Sequence, residues 1–101
     1  MNTEQLIAHG RARFDHVAAK RLLKEKYQAK MTFAYAGGMW CAGPELLTLL
    51  KACPEESAVL LDLYETPVRV DVLDLEFAVQ QRWQEQMNAW LNEYEELNKN
   101  R

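Results

Sequence analysis

One long amphipathic pattern near the C-terminus constrains the fold more than any other feature of this chain. Its apolar residues recur at spacings of three and four, a pattern typical of an α-helix with one apolar face. Asp71 can accept hydrogen bonds from the first free amides as an N-cap, and Asp74 suits the positive end of the helix dipole. The sequence therefore predicts a helix over residues 72–98. The apolar positions are Val72, Leu75, Val79, Trp83, Met87, Trp90, Tyr94 and Leu97.

The length of this helix raises the question of what covers its far end. At 1.5 Å per residue it is roughly 40 Å long, whereas a compact domain of 101 residues is about 35 Å across. Either the helix overhangs its own domain or a second chain completes its apolar face. We expect a homo-oligomer with protein contacts at Trp83, Met87, Trp90, Tyr94 and Leu97, although an N-terminal helix of the same chain is a rival cover.

A second long helix is predicted at the N-terminus, over residues 4–30. Asn2 or Thr3 can act as the N-cap, and Gln5 stands three residues after Asn2 as in a capping box. The residues at helical spacing that predict its apolar face are Ile7, Phe14, Val17, Ala18 and Leu22.

The stretch "TFAYAGGMWCAGPE" predicts a β-hairpin over residues 32–42 with Gly37 and Gly38 in the turn, because turns of this kind need positive φ. Placing Ala36 opposite Met39 puts Phe33, Tyr35 and Trp40 on one face, which is either core or a contact surface. The small residues Ala34, Ala36 and Cys41, with Met39, share the other face.

Two further elements complete the predicted order. Pro44 suits the first turn of a short helix over residues 44–52. The stretch "AVLLDLYETPVRVD" predicts a second hairpin over residues 59–71, with Leu61, Leu63, Val68 and Val70 on one face and Asp62 opposite Arg69; a helix over 54–64 is the alternative. The expected fold is a single α+β domain with the order α-ββ-α-ββ-α, two β-hairpins lying between long N- and C-terminal helices.

Composition excludes several function classes. The net charge of −3 provides no basic surface for duplex nucleic acid, and no apolar run is long enough to span a membrane. No export signal is recognisable at the N-terminus, so we expect a cytoplasmic protein in which Cys41 and Cys53 are free thiols.

Charge is unevenly distributed along the chain. Residues 1–30 carry seven basic and three acidic side chains, whereas residues 54–101 carry four basic and eleven acidic ones. Two interpretations follow: the basic segment packs beside the acidic one in the same chain, or opposite ends of different chains attract each other.

No group of residues has the pattern of a catalytic, cofactor or metal site. Gly37 and Gly38 are not followed by the cationic helix start of a phosphate loop. A nucleophilic Cys41 would need His9 or His16 brought close as a base, and the two cysteines and two histidines lack zinc-ligand spacing. The aromatic residues of the last helix could stack single-stranded bases, but packing or protein contact is the ordinary interpretation. We therefore expect no enzyme activity and no cofactor.

Several phrases of the sequence resemble small uncharacterised proteins of large contractile-tailed bacteriophages. They are "TFAYAGGMW" leading to "PELL", then "LLDLYETPVRVD" and "QQRWQEQMNAWLNEYEEL", and the similarity runs from Lys24 to the C-terminus. The resemblance implies a protein made in the cytoplasm of an infected bacterial host. It would be a minor virion component, an assembly factor, or a small protein that binds a host or phage partner. The alternative function is that of a small regulator that binds and inhibits a host protein. The resemblance supplies no catalytic residues.

Overall fold

The computed structural model describes residues 2–99, without the side chains of residues 6 and 8–12. The observed order matches the predicted α+β order. Residues 54–64, for which a strand and a helix were the alternatives, contribute a strand. The elements are α1 (Thr3–Lys30), β1 (Thr32–Tyr35), β2 (Gly38–Cys41), α2 (Pro44–Ala52), β3 (Ser57–Leu61), β4 (Pro67–Asp71) and α3 (Val72–Lys99).

Both long helices begin at the predicted caps. The Asn2 side chain accepts from the Gln5 amide at 2.8 Å, and the Gln5 side chain accepts from the Asn2 amide at 3.1 Å, which completes a capping box. At the start of α3 the Asp71 carboxylate accepts from the Asp74 amide at 3.0 Å. These local hydrogen bonds explain why the helix starts were predictable from the sequence.

The molecule has a small head and a long stalk. The head comprises residues 31–82, where two antiparallel hairpins, β1–β2 and β3–β4, pack with α2 against the first turns of α3. The stalk comprises α1 and residues 83–99, which lie antiparallel, with Tyr27 beside Trp90 and Lys20 beside Tyr94. The principal dimensions of 66 × 23 × 21 Å reflect this elongated shape.

The hydrophobic core lies in the head and uses the N-terminal half of the α3 apolar face. Trp40 is 2% exposed and Leu75 is fully buried. Further along α3 the same face is only half-buried. The buried core residues are Met31, Phe33, Trp40, Ala42, Leu50, Val70, Val72, Leu75 and Val79.

The first hairpin has the predicted faces but not the predicted turn. Ala34 lies opposite Met39, a shift of two residues from the expected pairing, so Phe33 and Trp40 still share one face and enter the core. The positive-φ turn residues are Ala36 (φ 53°) and Gly37 (φ 83°). The prediction that Gly38 is a turn residue was wrong: Gly38 belongs to β2 and is buried.

Gly38 is required for a close approach between the two hairpins. A Cβ atom at this position would lie 3.1 Å from Val68 Cγ2 and 3.2 Å from Asp62 Cβ. Adjacent to it, the Leu63 amide donates to the Met39 carbonyl at 2.8 Å. The second glycine therefore serves packing between hairpins rather than turn geometry.

The predicted register of the second hairpin was wrong by three residues. Val59, not Asp62, lies opposite Arg69, and the inward positions of β3 are Ala58 and Leu60. An odd shift moves every β3 side chain to the other face, so Leu61 and Leu63 are exposed. The predicted pairing of Asp62 with Arg69 does not form.

The register changes because Asp62 organises a five-residue loop. Its Oδ1 atom accepts from the Tyr64 amide at 2.9 Å and the Thr66 amide at 3.0 Å. Its Oδ2 atom accepts from the Met39 amide of the other hairpin at 3.1 Å. These amides stabilise the charged carboxylate and lower the pKa of Asp62, the Thr66 and Met39 amides having the largest effect.

The predicted apolar face of α1 was wrong. The side that packs on α3 and the head contains Leu23, Tyr27 and Met31, which are 8%, 2% and 4% exposed. Phe14, by contrast, is 73% exposed. The other exposed residues of the predicted face are Ile7, Val17 and Leu22, and Ala18 is half-buried.

Candidate interaction surface

The contact between α1 and α3 centres on an aromatic pair. The rings of Tyr27 and Trp90 are stacked, with centroids 6.0 Å apart and an interplanar angle of 8°. Trp90, predicted as a contact to another protein, therefore packs first within its own chain. The N-terminal helix, which was the alternative to a second chain, thus covers part of the far end of α3.

Glu93 connects the two helices electrostatically. Its Oε1 atom accepts from Lys26 Nζ at 2.6 Å and from the Tyr27 hydroxyl. The lysine hydrogen bond and then the tyrosine hydrogen bond lower the pKa of Glu93, and the bond to Glu93 raises the pKa of Lys26. The basic N-terminal segment thus packs beside the acidic C-terminal one in the same chain, as the first of the two charge interpretations predicted.

An apolar groove runs along one side of the stalk; we call it the stalk groove. It has a volume of about 490 Å³. Its floor is apolar, and cations from α1 form one rim, with Lys20 Nζ 5.9 Å from the centroid of the Tyr94 ring. The residues lining it are Val17, Lys20, Arg21, Lys24, Met87, Trp90, Leu91 and Tyr94.

A second groove, the head groove, crosses from the stalk onto the head. It has a volume of about 760 Å³ and is bounded by both hairpins, the start of α2 and α3. Met87 and Trp90 line both grooves, so the two form one continuous surface. Trp83, Cys41, Leu61 and Leu63 also line the head groove.

An exposed apolar face of α1 adjoins this surface. Tyr27 lies beside Trp90, and Leu97 lies in a cleft with Ala19 and Leu23, so the N-terminal part of α1 extends beyond Lys99. Ile7, on that extension, is 58% exposed. The exposed apolar side chains of the stalk are Ile7, Phe14, Val17, Leu22 and Leu91.

The structure brings the five predicted contact residues to one side of α3, all half-buried. Trp83 and Met87 pack against the head core, and Trp90 and Tyr94 meet α1. Leu97 lies in the cleft beside Leu23. The two predicted turn residues separate, with only Gly37 in the turn.

Sequence reasoning missed Tyr27 and Leu91. A signal for Tyr27 was present, because Leu23, Tyr27 and Met31 follow one another at a spacing of four and so share a helical face. Leu91 gave no such signal, since it lies outside the main apolar stripe of α3 and contributes to the surface by being exposed.

Cys41 does not lie near His16. The Ala42 amide donates to the Met31 carbonyl at 2.8 Å, which places Cys41 beside the C-terminal end of α1. His16 is fifteen residues earlier on α1, roughly 22 Å along the helix axis. The side chain of His9 lies outside the described residues. Cys41 and Cys53 are free thiols, and the side chains that the structure describes include no cluster of three potential metal ligands.

Within residues 2–99 no helix combines the length and the apolar character needed to cross a membrane. Comparison with protein-family models, curated proteins and solved structures found no match to this chain. The two grooves and the exposed face of α1 are the features of the molecule that indicate a function.

Proposed function

We propose that this protein is a non-enzymatic interaction protein that self-associates through its stalk. The observation that carries the proposal is the exposed apolar face of α1. Phe14 is 73% exposed and Ile7 is 58% exposed on a helix that extends beyond its intrachain partner. A helix of this kind gains most of its stability by packing an apolar face.

Burial in a second copy would supply that packing. Each large apolar side chain moved from water into an interface contributes roughly 1.5–3 kcal/mol. Val17 and Leu91 line the stalk groove, and Phe14 stands three residues before Val17 on the same helix. Two stalks packed side by side would bury these side chains together. The product is a bundle of four helices, two from each copy.

The resemblance to phage proteins adds a biological setting to this proposal. A self-associating protein made in an infected bacterium would serve as a minor virion component or an assembly factor. The distinguishing measurement is mass spectrometry of purified virions: stoichiometric copies indicate a virion component, and absence from virions together with presence in infected cells indicates an assembly factor.

The head groove supports a second candidate function. It combines side chains from both hairpins, α2 and α3, and so forms a mixed hairpin–helix surface. A surface of this kind suits a small regulator that binds and inhibits a host protein as a monomer. This candidate requires that the wild-type chain remain monomeric.

Self-association is tested by measuring native mass over a concentration series by light scattering and sedimentation velocity. We expect wild-type protein to form dimers, and Phe14→Glu or Leu91→Lys to give folded monomers, because both side chains are exposed within one chain. Trp90 is a poor test position, since its removal would also break the stack with Tyr27.

The matched control is Phe77→Glu. Phe77 lies on the head portion of α3 and is 66% exposed, so this variant makes the same chemical change on a different surface. It should leave the dimer intact. A wild-type chain that is monomeric at high micromolar concentration would overturn the proposal and leave the head-groove candidate.

A further inference from the structure

The two edges of the β3–β4 hairpin differ in how they are protected. The residues of β4 whose backbone faces away from β3 are Pro67, which has no amide hydrogen, and the charged residues Arg69 and Asp71; all three are exposed. Proline and charge are common devices against unwanted strand pairing. β3, with the sequence Ser-Ala-Val-Leu-Leu, has neither.

Hydrogen bonds at both ends of the hairpin establish which backbone groups of β3 are free. The Asp62 amide donates to the Thr66 carbonyl at 3.1 Å, and the Val72 amide donates to the Glu56 carbonyl at 2.9 Å. Because bonded and non-bonded pairs alternate in an antiparallel ladder, Ala58 and Leu60 bond to β4. The amides and carbonyls of Ser57, Val59 and Leu61 point away from it.

The free edge of β3 is also apolar and open to solvent. Val59 is 55% exposed and Leu61 is 62% exposed. Among the residues described, β3 pairs only with β4, and outside that ladder no backbone group bonds to Ser57, Val59 or Leu61. An exposed, uncharged edge strand of this kind is a template for another strand.

We propose that β3 pairs antiparallel with β3 of a second copy, about a two-fold axis at Val59. This symmetry pairs Val59 with its counterpart and Ser57 with Leu61 of the other copy, so the free amides and carbonyls of all three residues find partners. The pairing joins two hairpins into one four-stranded sheet. On its inner face, Ala58 and Leu60, both half-buried in one chain, pack across the axis.

Charge does not oppose this pairing within the strand, because residues 57–61 carry none. At each end Glu56 meets Asp62 of the other copy. The Asp62 carboxylate already accepts hydrogen bonds from three backbone amides, which compensate part of its charge. The alternative edge, β4, would place Arg69 against its own counterpart, a like-charge pair.

This contact is separate from the stalk contact and does not depend on it. A molecule with two different two-fold contacts can extend beyond a dimer. A five-residue pairing is small compared with a stable interface, so we expect the β3 contact to be weak.

Amide hydrogen exchange, followed by NMR over a concentration series, tests the inference residue by residue. We expect exchange of the Val59 and Leu61 amides to slow by roughly tenfold or more as concentration rises. The Arg69 amide, on the opposite edge of the same hairpin, is the internal control and should not change. Equal, concentration-independent exchange at Val59, Leu61 and Arg69 would overturn the proposal.

Substitutions at Val59 provide the matched variants. Val59→Pro removes the amide hydrogen at the axis without removing a bond of the β3–β4 ladder, and it should abolish the protection of Leu61. Val59→Lys places like charges across the axis and should also abolish the protection of Leu61. It replaces the proline variant as the test if that variant does not fold. Val59→Thr retains the amide and the β-branched shape and should keep the protection.

A variant with Phe14→Glu and Leu91→Lys separates this inference from the proposed stalk contact. Protection of Leu61 at high concentration in that variant would support β3 pairing even if the stalk contact proved wrong. A wild-type dimer without concentration-dependent protection would refute β3 pairing and leave the stalk contact standing.

Discussion

Replacing Gly38 by alanine tests the junction between the two hairpins. The added Cβ atom would lie 3.1 Å from Val68 Cγ2 and 3.2 Å from both Cβ and Oδ2 of Asp62. Favourable contacts between carbon atoms lie at about 3.5–4.0 Å, so both neighbours must move by a few tenths of an ångström. The Asp62 carboxylate is then displaced from the backbone amides that donate hydrogen bonds to it.

The expected loss of stability for Gly38→Ala is about 1–3 kcal/mol, the usual cost of overpacking. In a domain of this size each kcal/mol lowers the Tm by about 4–8 °C. Urea denaturation followed by tryptophan fluorescence measures the change, because Trp40 is buried in the same hairpin.

Gly37 provides the contrast, because alanine there meets nothing within 4 Å but must adopt φ +83°. The left-handed conformation costs about 1–2 kcal/mol, partly offset by about 0.4–1 kcal/mol from the lower entropy of the unfolded chain. Asparagine tolerates this conformation, so the stability of Gly37→Asn should be close to that of the wild type. Gly38→Asn should be less stable than Gly38→Ala.

A second-site substitution tests the cause directly. Val68→Ala removes the nearest atom, so it should recover part of the stability lost in Gly38→Ala, seen as a coupling energy in a double-mutant cycle. If the free energy of unfolding of Gly38→Ala lies within about 0.5 kcal/mol of the wild-type value, the change is no larger than that of an ordinary surface substitution. Gly38 would then not be required for the close approach of the two hairpins.

Three further predictions concern the first turn and the stalk. Ala36 adopts φ 53°, so Ala36→Asn, which creates the preferred Asn-Gly turn, should raise the free energy of unfolding by about 0.5–1 kcal/mol in urea titration; a loss would contradict the turn assignment. The pKa of Glu93 is lowered, first by Lys26, so its stabilising effect is present above the ordinary carboxyl value of 4.5 and is lost as the pH falls through its lower folded pKa. The stability difference between wild type and Glu93→Gln should therefore shrink below pH 4.5, and a difference independent of pH would refute the ion pair. A double-mutant cycle of Tyr27→Leu and Trp90→Leu should give a coupling of about 0.5–1.5 kcal/mol, and additive effects would show that the stacked rings do not interact.

The sequence alone determined the order of the elements of this protein, except at residues 54–64, where strand and helix remained alternatives. The reason is that the signals are local: Asn2 with Gln5, Asp71 before α3 and Pro44 before α2 act on amides within one turn of themselves. The face of the first hairpin was predictable too, since an even error in register leaves side chains on the same side.

Tertiary structure decided the faces and registers that depend on distant residues. The register of β3 against β4 follows from Asp62, whose carboxylate binds the Met39 amide of the other hairpin. Periodicity within residues 57–71 contains no information about that bond. Gly38 was likewise misassigned because its neighbours, Val68 and Asp62, are 30 and 24 residues away in the sequence.

The buried face of α1 was decided in the same way. α1 offers two apolar stripes, one with Phe14 and Leu22 and one with Leu23 and Tyr27, and sequence periodicity alone favoured the longer. The second stripe is buried because Trp90 stacks on Tyr27 and Glu93 bonds to Lys26 and Tyr27. The first stripe is thereby left exposed, and that exposure, which only the packing of α1 on α3 determines, is the basis of the proposed self-association.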